Sequence, residues 1–136
     1  MIGAWNFDME DNFMPSWISC LDESASKWLN KHCPGCMCIP RKPWSFGNEH
    51  HAVACGLSGV LFALELVEGK DRPPHLPAKA CNGLGETVGL LIRLTRLLWH
   101  ASKVATLDSG FCVLKGVVEL RKRGAFASAL IKKRRC

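Results

Sequence analysis

A mixed α/β fold, with a sheet of antiparallel and parallel strands flanked by helices, is what this sequence predicts. Three observations point to it. Short apolar runs bounded by turn residues fill the first half of the chain. Two stretches with a 3.6-residue apolar period follow, and strand-like runs alternate with them to the end. The chain has 136 residues, of which 48% are hydrophobic and 22% charged. That suits one domain with a packed core and excludes a disordered or low-complexity chain.

The elements follow in order. Residues 6–15 are polar and acidic. Trp17, Ile18, Ser19, Cys20 and Leu21 then form a short apolar run, read as a buried strand that ends at Asp22-Glu23-Ser24. Pro34-Gly35 marks a turn, Met37-Cys38-Ile39 reads as a second short strand, and Pro40 to Pro43 stops it. Residues 51–55 and 60–67 read as a hairpin around Gly56-Leu57-Ser58-Gly59. Residues 69–83, with three prolines, read as a surface loop. Leu84, Val88, Leu91, Thr95 and Leu98 fall on one helical face. Residues 103–108 are strand-like and end on Asp108. Phe111, Leu114 and Val118 then define a helix from about Gly110 to Arg123, closed by Gly124. Residues 125–131 are read as a final buried strand. The order is β-β-β-β-α-β-α-β, which is the order of an RNase H-like fold.

Charge is unevenly spread. Residues 1–114 carry a net charge of −1 and residues 115–136 a net charge of +7. Arg121-Lys122-Arg123 closes the second helix, where it suits the negative end of the helix dipole. Lys132-Lys133-Arg134-Arg135 follows the last strand. Both runs could contact phosphates, as could Arg41-Lys42, or they could be solvated surface. The run 132–135 also reads as a nuclear-import patch. Trp44 and Phe46 read as loop aromatics packed on the sheet edge, with base stacking as the alternative.

No secretory signal opens the sequence, and its longest apolar stretch, residues 52–67, contains Glu65 and two glycines. A membrane span needs about 20 apolar residues, so an intracellular chain that does not cross a membrane is expected. Its eight cysteines are then reduced thiols rather than a disulfide framework. Cys33-Pro34-Gly35-Cys36-Met37-Cys38 is the one dense cysteine cluster. It lacks a matching second pair, so chance cysteines at a turn are favoured over zinc.

Asp22 and Asp108 share one setting, each closing an apolar run. In a mixed sheet, ligands gather beyond strand ends, so two such carboxylates on neighbouring strands could share divalent cations. Each could instead cap a turn or a helix.

Three segments carry a resemblance to a known family. Asn6-Phe7-Asp8 through Leu21-Asp22-Glu23-Ser24, then Ile39 to Pro43, then Thr106-Leu107-Asp108-Ser109-Gly110-Phe111, resemble the transposase domain of piggyBac transposable-element-derived proteins. The resemblance implies an RNase H-like core, incomplete at the C-terminus, with residues 1–136 forming part of a catalytic domain. It implies that Asp22 and Asp108 are the first two of three metal-binding aspartates that cut and join DNA strands. The third falls beyond Cys136, so activity by this chain alone is not expected, and Mg²⁺ or Mn²⁺ binding should be weak or absent. The implied partner is DNA at transposon ends, with a homodimer held through regions this chain lacks, in the nucleus. A non-catalytic module that binds nucleic acid or protein is the alternative.

Overall fold

The computed structural model describes residues 1–27, 36–38, 40, 46–67 and 83–131. Among them the chain runs α1 (Ile2–Asn12), β1 (Ile18–Lys27), β2 (Met37–Cys38), β3 (Phe46–Cys55), β4 (Leu61–Leu66), α2 (Glu86–Leu94), β5 (Val104–Leu107), α3 (Leu114–Lys122) and β6 (Phe126–Ala129). One 3₁₀ turn, Arg96–Leu98, follows α2. The strand and helix order matches the sequence reading, with α1 added in front.

The described strands form one sheet in the order β2-β3-β1-β5-β6, with β4 also paired to β3. β1 is antiparallel to β3 and parallel to β5, and β6 is parallel to β5. The core lies on one face of this sheet. Leu21, Val53, Phe62, Leu107, Leu91, Leu98 and Leu120 are all buried there, joining strands to helices. Successive side chains on a strand point to opposite faces. Leu21 therefore enters the core, while Cys20 and Asp22 face away from it.

Several expectations need correction. β1 does not stop at Asp22. It continues to Lys27, because its backbone stays paired with β3 from Ser19↔Cys55 to Lys27↔Gly47. Main-chain hydrogen bonds need no apolar side chains, so this polar half left no periodic signal. Phe46 opens β3 and is not a loop residue. The loop expected at residues 69–83 lies outside the described residues except for Gly83.

The N-terminal helix has no amphipathic signature and buries none of its residues fully. Met9 packs half-buried against the core, and polar contacts supply the rest of the helix's hold. Asn6 accepts the Leu64 N–H at 2.9 Å and donates to the Leu64 carbonyl at 2.7 Å, while Trp5 Nε1 donates to Leu61. The Asn6 amide so behaves as one more residue of sheet against β4. Beyond the helix, Phe13 stacks on Phe62 with ring centroids 5.8 Å apart.

For α3, both the start and the buried face differ from the expectation. Phe111 is buried but precedes the helix, in a turn closed by its N–H to the Asp108 carbonyl at 2.9 Å. Leu114 and Val118 are exposed, and Gly116 and Leu120 face inward. A Cβ on Gly116 would lie 2.8 Å from Leu91 Cδ2, so the absent side chain is what lets α3 close on α2. Gly124, at φ 71°, ends the helix as expected. Among the described residues β6 is an edge strand, buried on one face only: Ala127 and Ala129 pack half-buried against the core while Phe126 and Ser128 are exposed.

Two measurements check this packing. Leu21→Ala deletes a fully buried side chain on the central strand and should cost about 3 kcal/mol, read by urea denaturation. Glu119 holds Lys122 at 2.7 Å and Arg123 at 2.6 Å, and these bonds keep its carboxyl below the ordinary glutamate value. The group is depressed in the folded state. Its contribution is therefore full above the unfolded value and is lost as pH falls through the folded one. The melting temperature of the wild type should exceed that of Glu119→Gln at neutral pH, and the gap should close on acidification.

Candidate functional site

The parallel ladder between β1 and β5 pairs Ile18↔Val104 through Leu21↔Leu107. Asp22 and Asp108 are the next residue on each side, at the point where β5 ends and β1 runs on. Neighbouring strands lie about 4.8 Å apart, so this register brings the two residues to adjacent positions. Alternation puts Asp22 on the face of Cys20 and Thr106, away from the helices.

Asp22, Asp108, Cys20, Thr106 and Ser128 border one open depression of about 460 Å³ on that face. Electrostatics agree with the convergence. The Cys20 thiol is held above its ordinary value, first by partial desolvation and then by the negative charges of Asp22 and of Asp108. Both carboxylates therefore act on the same sulfur atom, from two different strands.

Neither aspartate side chain caps a helix, although Asp108 opens the turn after β5 through its carbonyl, which accepts the Phe111 N–H. Asp22 lies within β1, and its Oδ1 accepts the adjoining Glu23 N–H at 2.7 Å. Helix α3 begins at Leu114 with Val113 as its N-cap residue and no side-chain cap bond. The carboxylates are left facing the depression.

Sequence reasoning did not single out Glu23 or Gly110. A Cβ placed on Gly110 would sit 3.9 Å from Glu23 Oε1 and 4.0 Å from Asp108 Oδ2. The turn after β5 thus carries Gly110 where two carboxylates approach its backbone. The LDE and LDS segments around the two aspartates were the available signal.

Carboxylate oxygens are the hard donors that Mg²⁺ and Mn²⁺ take, so Asp22 and Asp108 fit as part of the coordination of one such ion. They do not complete a two-metal set. Among the described residues no group of three His, Cys, Asp or Glu side chains is placed to hold a metal ion. Cys36 and Cys38 are described and unbridged, whereas Cys33 is not among the described residues.

The described basic residues at the end of α3 lie apart from this site. Arg121, Lys122 and Arg123 end α3 at the opposite end of the strands, where the Arg123 carbonyl accepts the His100 N–H and that of Gly124 the Ser102 N–H. Lys122 and Arg123 are paired to Glu119, Arg121 lies over the Phe126 ring at 4.3 Å, and Arg123 lies over Trp99 at 5.3 Å. Arg41, Lys42, Lys132, Lys133, Arg134 and Arg135 lie outside the described residues, as does Trp44. Among the described residues no helix is long and apolar enough to cross a membrane.

Comparison with known proteins supplies the family. No curated protein sequence matches the chain. Its fold is similar to that in a cryo-EM structure of the piggyBac transposase synaptic complex with hairpin DNA, with a TM-score of 0.75 and 14% sequence identity. The match covers 96% of this chain and 26% of that one, so this chain spans about a quarter of that transposase. The strand order fits an RNase H-like core. Residues 1–136 match the family model described as Transposase IS4, a DDE-type model, and the chain belongs to that transposase family.

Proposed function

We propose that Asp22 and Asp108 are two carboxylates of a DDE-type site for DNA strand cleavage and transfer, and that this chain alone does not transpose DNA. The observation that carries the reading is their position, one residue past the last β1–β5 pair and on one depression. The family generally uses a divalent metal. Bound there, such an ion would supply Lewis-acid stabilisation of the charge that builds on phosphate oxygens. The chain's own part is to present two hard donors from a rigid two-strand platform and to leave the depression open to a large substrate.

The donor count among the described residues supports inactivity of this chain alone. Two carboxylates leave a divalent ion largely to water, so affinity is weak and the geometry loose. The same count favours a second reading, a non-catalytic module that binds nucleic acid or protein. Residues 1–136 form, in the proposal, part of a transposase catalytic domain, whose partner is transposon-end DNA. Support for a DNA partner comes from the family and from the hairpin DNA in the matched complex. Arg121, Lys122 and Arg123 are proposed phosphate contacts, together with Arg41, Lys42 and the run Lys132-Lys133-Arg134-Arg135. That last run also supports nuclear localisation. Self-association through regions outside this chain completes the proposal.

Metal binding separates the two readings. Millimolar Mn²⁺ or Mg²⁺ should raise the melting temperature of the wild type but not of Asp22→Asn/Asp108→Asn, by an amount equivalent to about 1.4 kcal/mol at ten times Kd. Equal response of both chains leaves the carboxylates without a metal role. A labelled DNA hairpin should stay intact with Mn²⁺ present. Cleavage that Asp22→Ala abolishes would overturn the inactivity while confirming the site. Arg121→Ala should weaken DNA binding in gel-shift titrations and lower the salt slope by about one unit.

A further inference from the structure

The first rung of the β1–β3 ladder pairs Ser19 with Cys55, so the two side chains share the core face of the sheet, with about 5 Å between their β-carbons. Ser19 is fully buried, and its hydroxyl has no hydrogen-bond partner. Its neighbour on the other side is Ala105, which brings no polar side-chain atom. Of its two cross-strand partners, only Cys55 sets a polar side-chain atom beside this hydroxyl. An unpaired buried donor favours any acceptor atom added next to it.

The sulfur itself is met by donors. The Ser16 N–H nitrogen lies 3.4 Å from Cys55 Sγ and the Ser16 hydroxyl 3.2 Å from it. Ser58, in the exposed turn of residues 56–59, brings its own hydroxyl and N–H to the same atom. As a thiol, Cys55 donates to Ser16 Oγ, whose proton goes to the Ile18 carbonyl at 2.9 Å. That carbonyl also accepts the Gly56 N–H at 2.9 Å, so it stays paired when the Ser16 hydroxyl turns its proton to the sulfur. Hydrogen bonds from the Ser16 and then the Ser58 side chain hold the Cys55 thiol down at about 6, against the opposing effect of burial. Cys20, on the other face of the sheet, is shifted the opposite way. Cys55 is 4% exposed, so access under the turn suits a very small reagent.

We infer that Cys55 is a peroxide-reactive thiol, oxidised by hydrogen peroxide to a sulfenic acid whose new oxygen takes the Ser19 hydroxyl as its hydrogen-bond donor. The thiolate sulfur attacks one peroxide oxygen, and the S–O bond forms as the O–O bond breaks. Hydroxide leaves and takes up a proton to become water, so the sulfur is oxidised by two electrons and the peroxide reduced by two. This thiol lies on the core face, and its chemistry stands whether or not Asp22 and Asp108 bind metal.

The full chain is treated with hydrogen peroxide, then with catalase, then unfolded in guanidine containing dimedone and iodoacetamide, and the adducts are mapped by peptide mass spectrometry. Dimedone adducts should accumulate on Cys55 about tenfold faster than on Cys20, and the preference should vanish when the chain is unfolded before peroxide is added. Ser16→Ala/Ser58→Ala should slow oxidation of Cys55 about fivefold. Ser19→Ala should leave that rate unchanged, while added glutathione consumes the sulfenic acid about threefold faster than in the wild type. Equal rates at Cys55 and Cys20 in the folded wild type, or no adduct on Cys55, overturns the proposal whether or not the variants fold. A preference that survives unfolding overturns it too, because it then owes nothing to Ser16, Ser58 and Ser19. An unchanged sulfenic acid lifetime in a folded Ser19→Ala chain also overturns it.

Discussion

The structure depends on the double pairing of β1. Its first residues are hydrogen-bonded to β5 on one side and to β3 on the other. Two ladders fix the strand's rotation, so Leu21 has no choice but the core and Asp22 none but the opposite face. A slip of one residue would exchange them, placing a carboxylate among Leu91, Leu98 and Leu120. The burial of Leu21 and the exposure of the carboxylate pair are thus one constraint seen from two sides. The candidate site inherits its geometry from the hydrophobic core.

That constraint explains which parts of the architecture could be read in advance. The hairpin around Gly56, the helix through Val88 and Leu91, and the strand ending at Leu107 all announce themselves through apolar side chains in contact with the core. The same signal fails where backbone or single polar groups hold the chain. The polar arm of β1 from Glu23 to Lys27 is kept by its ladder with β3, and α1 largely by an amide, an indole and the Glu10–Arg96 pair, with Met9 its one apolar contact to the core. The face of α3 was misread because its contact rests on Gly116, a residue that contributes closeness rather than hydrophobicity. Asp22 and Asp108 were legible as a pair by position and by resemblance. Their convergence was not, since it depends on the register between β1 and β5, which no local pattern encodes.

Charge is also partitioned by direction along the strands. The carboxylates stand where β5 ends, while the cationic end of α3 lies where β5 and β6 begin. The positive charge that closes α3 is therefore no cradle around the acidic site. Part of it is spent internally, with Glu119 binding two of the three cations of its helix end.

The contact of Asn6 with Leu64 spans 58 residues of sequence. Closing so long a loop costs entropy that the contacts of α1 cannot offset before their target exists. β4 must already be zipped onto β3, a pairing across a four-residue turn, for the Leu64 N–H and carbonyl to be in place. The helix therefore docks late in folding and is the first element to lift away in local opening. Hydrogen exchange would see the sheet as two populations, a slow interior and a β4 margin whose outward Leu64 N–H is protected only while α1 stays seated.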